Sequence, residues 1–282
     1  MSTVQRGSGW SIRLVFFLYR LFGYGFVYYL MYPVTFFYVL VASNVKVALR
    51  EYYATIGKPF TAWVYFHHLR HFALCMCDRF ISRVAFEEYV FDIDEEAEVL
   101  DQVMQEGCVL LLSHFGGWAA AGNCFSEFKI SIVMQEALLG EIKKIEKELP
   151  CPNPNLTIID LSKGSMFASM EAVSVLLRGE VLAMMADRAT QAQYCEQIDF
   201  FGKKANFNKN PFYFAQKTQK PLVAIAFVYQ GPQHYKVRFR KIAFDGEAYN
   251  APLQEYGKFL EEIVQKNPEQ WFNFYHFWKE EK

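Results

Sequence analysis

A chain of 282 residues is long enough for one large α/β domain, and its formal net charge of −1 gives no reason to expect binding to nucleic acid. Aromatic residues make up 18% of the chain, more ring surface than a soluble core needs, so we expect part of it to contact lipid. The six scattered cysteines match neither a disulfide framework nor a zinc ribbon, which predicts reduced thiols in a cytosolic setting.

The N-terminal stretch is apolar and uncharged from residue 21 to residue 42. About 20 apolar residues suffice to cross a bilayer, but Gly23, Pro33 and interspersed tyrosines favour a helix lying in or dipping into the interface. A hydrophobic helix buried against the globular domain is the alternative. We predict that residues 1–50 form a membrane-associated helical segment and that residues 51–282 form one α/β domain.

Residues 51–88 have helical spacing, and His67, His71 and Cys75 fall on one face. Such a face could bind a metal ion. No fourth ligand is evident, however, and the surrounding apolar residues favour packing in a core. We therefore predict no metal site.

After this segment, short apolar runs alternate with helical stretches. The predicted strands are Val109–Ser113, Ile130–Val133, Thr157–Ile159, Val181–Ala186 and Leu222–Tyr229, with a more exposed strand at Tyr235–Phe239. The predicted helices are Leu138–Leu149, Met166–Arg178, Pro211–Thr218 and Gln254–Asn267. This alternation predicts an α/β fold with a central, mostly parallel or mixed sheet covered by helices on both faces.

The first candidate for chemistry is His114, which follows an apolar strand and precedes Gly116 and Gly117. Ligands of such sheets gather at the carboxyl ends of strands, so we expect the histidine there and a Gly-Gly turn that opens a helix. A histidine in this place can act as a general base on a hydroxyl. The alternative is a histidine that only forms hydrogen bonds within the turn.

The second candidate lies at the end of another apolar strand, where Asp187 and Arg188 follow Ala186. Arginine suits phosphate through its fork of donors, whereas a capping Asp187 with a solvated Arg188 is the alternative. Lys203 and Lys204 come shortly afterwards and could contribute to phosphate binding, although lysine-rich loops are usually just solvated.

The ordered set of motifs resembles the bacterial lipid A biosynthesis acyltransferase family, within the lysophospholipid acyltransferase superfamily. The blocks are Arg6-Gly7-Ser8 with Trp10, Asp78-Arg79, Ser113-His114-Phe115-Gly116-Gly117-Trp118, Ala186-Asp187-Arg188, Phe201-Gly202 and the aromatic run at 271–278. The last of them resembles particularly the branch associated with aryl-polyene lipids. The likeness covers nearly the whole chain and implies that residues 51–282 are an acyltransferase-like α/β domain.

This resemblance implies an enzyme on the cytoplasmic face of the bacterial inner membrane. It would move a fatty acyl group from an acyl carrier protein or coenzyme A thioester to a hydroxyl of a lipid or glycolipid acceptor, and it would need no further cofactor. His114 would deprotonate the hydroxyl, and Arg188, with Gly116 and Gly117 and the two lysines, would bind substrate.

The family's signature places an acid five positions after the histidine, where it would orient and stabilise the imidazole, but this chain has Ala119. Three explanations are open: an introduced substitution, a naturally inactive homologue, or an acid supplied from elsewhere, with Asp187 as the candidate. The rival to an acyltransferase is a non-catalytic lipid-binding or scaffold protein. A hydrolase, with water in place of the lipid hydroxyl, is a weaker third reading.

Overall fold

The computed structural model describes residues 9–93, 97–134, 153–188, 191–244 and 248–278. The strands within these residues are β1 (Val90–Ile93), β2 (Val109–Leu112), β3 (Ile130–Met134), β4 (Leu156–Asp160), β5 (Val181–Met185), β6 (Cys195–Phe200), β7 (Lys203–Asn208), β8 (Leu222–Gly231) and β9 (His234–Ile242). The α-helices in the same ranges are α1 (Gly9–Val41), α2 (Ser43–Thr55), α3 (Ala62–Ile81), α4 (Ala97–Gln105), α5 (Ser165–Leu177), α6 (Asn210–Thr218) and α7 (Asn250–Lys266).

Seven strands of the described chain form one sheet in the order β1-β9-β8-β2-β5-β3-β4. Only the β8–β9 pair is antiparallel, and the other neighbouring pairs of this sheet run parallel. The remaining two strands, β6 and β7, form a separate antiparallel hairpin. The predicted mostly parallel α/β fold is therefore confirmed.

Both faces of the sheet are covered, which explains why its central strands read as continuous apolar runs. In β2, Val109 and Leu111 join an apolar cluster that includes residues of α2, α5, α6 and α7. Leu110 and Leu112 point to the other face and join a cluster that includes residues of α1, α3 and α4. The prediction of helices on both faces is confirmed.

Several elements differ from the prediction. The helical stretch at 51–88 is interrupted after α2, where Gly57 adopts a φ of 68°, and a second helix, α3, begins at Ala62. Strand β1, helix α4 and the β6–β7 hairpin were not predicted. Polar or charged residues interrupt the apolar residues of these three strands, and α4 is only nine residues long. The predicted helix at 138–149 lies outside the described residues.

The N-terminal helix α1 is long and apolar enough to cross a membrane. It bends at Gly23, whose φ of 76° is non-helical. One side packs on α3, where the Phe16 and Phe80 rings lie 6.2 Å apart, whereas large residues such as Phe17 and Tyr29 are exposed on the other. The helix thus offers an apolar surface that the rest of the described chain does not cover. The predicted boundary at residue 50 falls inside α2, so the division into two segments stays a prediction.

Candidate active site

The register of two parallel strands brings the two sequence candidates together. Strands β2 and β5 are neighbours, and Leu112 pairs with Met185. His114 and Asp187 each lie two residues beyond this pair, so both emerge at the carboxyl edge of the sheet. There His114 Nδ1 lies 2.9 Å from Asp187 Oδ1, and the His114 main-chain N–H donates to Asp187 Oδ2 at 3.0 Å.

Asp187 is fully buried, and a carboxylate is stable there only if its oxygens accept hydrogen bonds. Besides the two groups of His114, the Trp271 indole N–H donates to Oδ2 at 3.2 Å and Arg188 Nη2 lies 3.3 Å from the same oxygen. These donors hold the carboxylate in one orientation, and with it the imidazole.

The charges of the pair follow from its surroundings. Burial and the Arg188 guanidinium lower the pKa of His114 below its usual value, although Asp187 opposes the shift. Burial alone would raise the pKa of Asp187, but His114 and Arg188 outweigh it and hold this pKa well below the ordinary carboxyl range. At neutral pH the imidazole is therefore neutral and the carboxylate is charged.

This charge state determines the tautomer. A carboxylate accepts hydrogen bonds and cannot donate one, so the imidazole proton lies on Nδ1. The lone pair of Nε2 is then available to accept a proton. His114 keeps 28% of its side-chain surface exposed, which allows a small group to approach the ring.

The C-terminal segment closes the other side of the pair. The Phe272 N–H donates to the His114 carbonyl at 2.8 Å, and Phe115 and Trp271 form an isolated antiparallel bridge. The sequence placed Trp271 only in an aromatic block, and its contact with Asp187 was not predicted. The two residues are 84 positions apart, and nothing local to either one indicates that they meet.

The glycines after His114 have structural roles that account for their small size. A Cβ on Gly116 would lie 1.9 Å from the Phe227 carbonyl oxygen, and one on Gly117 would lie 2.1 Å from the Tyr235 ring. Their main-chain N–H groups donate to the carbonyls of Gln270 and Phe227, both at 2.8 Å. Substrate binding by the two glycines stays a prediction.

The expected helix after the two glycines is absent from this described stretch. Residues 117–120 form a turn, with the Ala120 N–H donating to the Gly117 carbonyl at 2.9 Å, and a short 3-10 turn follows at Ala121–Asn123. The turn follows directly on the two glycines, which lie close to β8 and β9. Ala119 lies in this turn and is half-buried.

A cavity of about 940 Å³ opens beside the histidine, and His114, Trp118 and Ala119 line it. The Trp118 and His114 rings meet edge to face, 5.6 Å apart. The apolar part of the wall includes Ile132, Leu156, Ile158, Leu161, Met170 and Met184. Pockets of up to about 1,000 Å³ bury most of the surface of a small ligand. This one offers a mainly apolar wall next to a histidine.

Arg188 also lines the cavity. Its Nη2 bonds both Asp187 Oδ2 and the Phe272 carbonyl, each at 3.3 Å, and the guanidinium lies 5.1 Å from the Tyr275 ring centroid. The structure thus gives Arg188 a contact with the acid of the pair, in addition to its place on the cavity wall. Phosphate binding by this residue stays a prediction.

The two lysines lie elsewhere. Lys203 Nζ donates to the Thr55 hydroxyl at 3.0 Å, and Lys204 forms a salt bridge of 3.0 Å with Asp199. Both line a smaller pocket of about 290 Å³ at the β6–β7 hairpin, and neither lines the cavity at His114. The structure does not bring them together with Arg188.

The histidines of α3 have ordinary packing contacts. His71 Nδ1 lies 3.5 Å from Glu269, and the neighbouring His68, which is fully buried, bonds the Tyr53 hydroxyl at 3.1 Å. In the described part of the chain, no three histidine, cysteine or acidic side chains converge as a metal site would require.

Residues 82–280, well over half of the chain, match the family described as bacterial lipid A biosynthesis acyltransferase. The chain belongs to this family. No curated protein matches the sequence closely enough to identify an individual relative. Membership of this family supports a lipid acyltransferase, and it implies a lipid acceptor and an acyl thioester donor. Helices α1–α3 precede the matched residues.

Proposed function

We propose that the chain transfers a fatty acyl group from an acyl carrier protein or coenzyme A thioester to a hydroxyl of a lipid or glycolipid acceptor, such as a lipid A-like or aryl-polyene lipid. It would act at the cytoplasmic face of the bacterial inner membrane. The observation that carries the proposal is His114 on the wall of a large, mainly apolar cavity, with the buried Asp187 bonded to its Nδ1.

The pair supports general-base chemistry. The acceptor hydroxyl gives its proton to His114 Nε2 while its oxygen attacks the thioester carbonyl carbon. The new carbon–oxygen bond forms a tetrahedral intermediate, which collapses with cleavage of the carbon–sulfur bond. The imidazolium then returns the proton to the leaving thiolate. Asp187 stabilises the imidazolium and keeps Nδ1 protonated throughout.

The family signature places an acid five positions after the histidine, where this chain has Ala119. We propose that Asp187 takes the role of that acid and orients and stabilises the imidazole. Its oxygen lies at hydrogen-bond distance from Nδ1, as the role requires. Ala119 itself is the observation that favours the second candidate, a homologue that binds lipid without transferring acyl groups. Activity that depends on His114 separates the two.

The apolar cavity suits the acyl chain, and α1 suits attachment to the membrane. The exposed aromatic and aliphatic side chains of α1 would enter the lipid phase, which removes their apolar surface from water. A hydrophobic acceptor resides in the bilayer, so this attachment would hold the enzyme next to it. Flotation of the purified full-length chain with phospholipid vesicles tests this attachment. A chain that stays soluble without detergent and does not bind the vesicles contradicts it.

The decisive experiment measures acyl transfer to extracted bacterial lipids by mass spectrometry, with acyl carrier protein and coenzyme A thioesters as donors. We expect His114→Ala to lower the rate by about 10²–10⁴-fold. The matched control is His234→Ala, since His234 pairs with Asp92 outside the cavity lining. Absence of transfer by the unmodified chain favours the lipid-binding homologue, and transfer that is unchanged by His114→Ala contradicts the role of His114 as the general base.

A further inference from the structure

The N-terminal helix α1 has two largely apolar long faces. One face is buried, and after the bend at Gly23 its residues recur every three or four positions, at Tyr24, Val27, Met31 and Thr35. The opposite face carries a stripe of exposed large residues: Trp10, Leu14, Phe17 and Leu21 before the bend, and Phe22, Phe26, Tyr29, Phe36 and Leu40 after it. A helix that is apolar all round needs an apolar environment on both sides, and the described chain provides only one of them.

The buried face packs along α3 with the two helices antiparallel. The Phe16 ring lies 6.2 Å from the Phe80 ring near the end of α3, and the Tyr32 ring lies 6.1 Å from the Phe66 ring near its start. The rise from Phe16 to Tyr32 is about 24 Å of helix. Helix α1 is thus held against the domain over a length close to the thickness of the hydrocarbon core of a bilayer, which is about 30 Å.

Polar and charged groups lie between α1 and the domain. The Tyr24 hydroxyl donates to the buried Asp78 carboxylate at 2.8 Å. The buried Arg70 guanidinium lies 4.3 Å from the Tyr28 ring centroid and 4.0 Å from that of Tyr32, and its Nη2 donates to the Tyr28 carbonyl at 3.3 Å. These contacts tie α1 to α3, which itself packs on one face of the sheet.

A membrane-crossing orientation of α1 conflicts with this packing. If residues 21–42 crossed the bilayer, Arg70 and Asp78 would lie at the depth of the hydrocarbon core, together with α3 and the sheet behind it. Charged side chains and the strand edges of an open sheet are costly in that environment. A helix that keeps these contacts has to lie along the membrane surface.

Two exposed tryptophans mark the ends of the packed region. Trp10 is 72% exposed at the start of α1, and Trp63 is 68% exposed in the first turn of α3, where it stacks on Phe66 at 6.0 Å. Tryptophan prefers the headgroup level of a bilayer. The exposed Arg20 and Lys46 suit anionic headgroups. A helix lying along the surface brings all four side chains to the same leaflet.

We propose that α1 lies flat in the interface of one leaflet of a phospholipid bilayer, with its exposed stripe in the lipid and its buried face on α3, and that Trp63 extends this surface. Both ends of α1 are then on the same side of the membrane. This inference rests on the proposed attachment of the chain to the membrane, and it specifies the surface and the orientation of that contact.

The sidedness of the two ends of α1 tests the orientation. Arg20→Cys and Lys46→Cys each place a thiol at an exposed, charged position on either side of the apolar stretch 21–42. Labelling with a membrane-impermeant maleimide is compared in right-side-out and inverted membrane vesicles from bacterial cells that express the full chain. The unmodified chain gives the background of its own cysteines, and detergent-solubilised protein shows the full reactivity of each thiol.

We expect both new thiols to react from the same side of the membrane. Reaction from opposite sides shows a spanning helix and overturns the proposal. Protection of either thiol in both kinds of vesicle also overturns it, because that end of the helix would then lie in the hydrocarbon. A chain that is absent from the membrane fraction refutes the flat orientation together with the attachment.

Tryptophan fluorescence tests the contribution of Trp63. In the Trp10→Phe chain, Trp63 is the most exposed tryptophan left. With vesicles of phosphatidylcholine and phosphatidylglycerol, we expect lipids brominated near the headgroup to quench it more than lipids brominated near the chain end. Adding Trp63→Phe should abolish this quenching, whereas the control Trp278→Phe, whose ring stacks on Phe200 in the domain, should retain it. Absent quenching, or quenching that survives Trp63→Phe, excludes Trp63 from the lipid surface.

Charge substitutions test the exposed stripe. Tyr29→Glu, Phe36→Glu should lower the partition coefficient on the same vesicles by about tenfold or more, since two apolar side chains are replaced by charges. The matched control is Val90→Glu, Val99→Glu, at exposed apolar positions of β1 and α4. Equal partitioning of the two double variants shows that the stripe is not in the lipid. The proposed function fails differently, through absent acyl transfer by a chain whose two thiols still react from one side.

Discussion

Replacement of Asp187 by asparagine is the most direct probe of the site. The two side chains have nearly the same shape, so the packing around them changes little. The chemistry changes at one atom, because an asparagine amide group can donate a hydrogen bond to His114 Nδ1 where the carboxylate accepted one. The favoured tautomer of the imidazole then carries its proton on Nε2, and the histidine can no longer act as a base.

The structure sets the size of the effect. Asp187 lies 2.9 Å from His114 Nδ1 and contacts Trp271 and Arg188 as well, so the variant loses both the tautomer control and the charge that stabilises the imidazolium. The corresponding change in serine proteases lowers kcat by about 10⁴-fold, which is about 5 kcal/mol of barrier. We expect a comparable loss of transfer, with a decrease of about 1–3 kcal/mol in the free energy of unfolding from weakened bonds to a charged group.

The assay is single-turnover acyl transfer with saturating thioester, accompanied by thermal unfolding in the same detergent. Asp199→Asn serves as the control, because Asp199 pairs with Lys204 on the surface and should tolerate the change. A folded Asp187→Asn protein that loses less than about tenfold in rate would refute the reasoning, since tautomer control is worth far more than that.

The remaining predictions concern the same site. The rate of transfer should fall as the pH drops through the pKa of His114, which lies below its usual value of about 6.5. Arg188→Ala should move this limb of the pH–rate profile to higher pH, because the guanidinium lowers the pKa of His114. If this limb does not move, Arg188 does not influence the pKa of His114. Ala119→Glu should change the rate by less than about tenfold, since Asp187 already accepts the hydrogen bond of His114 Nδ1. A gain of orders of magnitude that vanishes with His114→Ala would show that Asp187 replaces the family's acid poorly. Arg188→Ala should weaken substrate use more than Lys203→Ala, and equal small effects on kcat/KM would reduce Arg188 to a structural residue.

The apolar runs of the sequence determined most of the sheet. A strand buried on both faces needs apolar residues at every position, so β2, β5 and β8 are recognisable without any tertiary information. Strands with one polar face carry a weaker signal. That is why β1, with Asp92, and the charged β6–β7 hairpin were not predicted, and why the alternating β9 was recognised over only part of its length.

The sequence also determined that His114 and Asp187 each follow a strand, and that the position of the family's acid is Ala119. Their meeting was decided by the tertiary structure, because it depends on β2 and β5 being neighbours in a register that pairs Leu112 with Met185. A shift of one residue would have turned one of the two side chains to the other face of the sheet.

The contacts that surround the pair were likewise decided by packing. Trp271 reaches Asp187 because the C-terminal segment bonds to the chain just after β2, and Gly116 and Gly117 lie directly against β8 and β9. A sequence records which residues can accept or donate a hydrogen bond. Which of them meet depends on how the apolar faces of distant elements fit together, and that is a property of the folded chain as a whole.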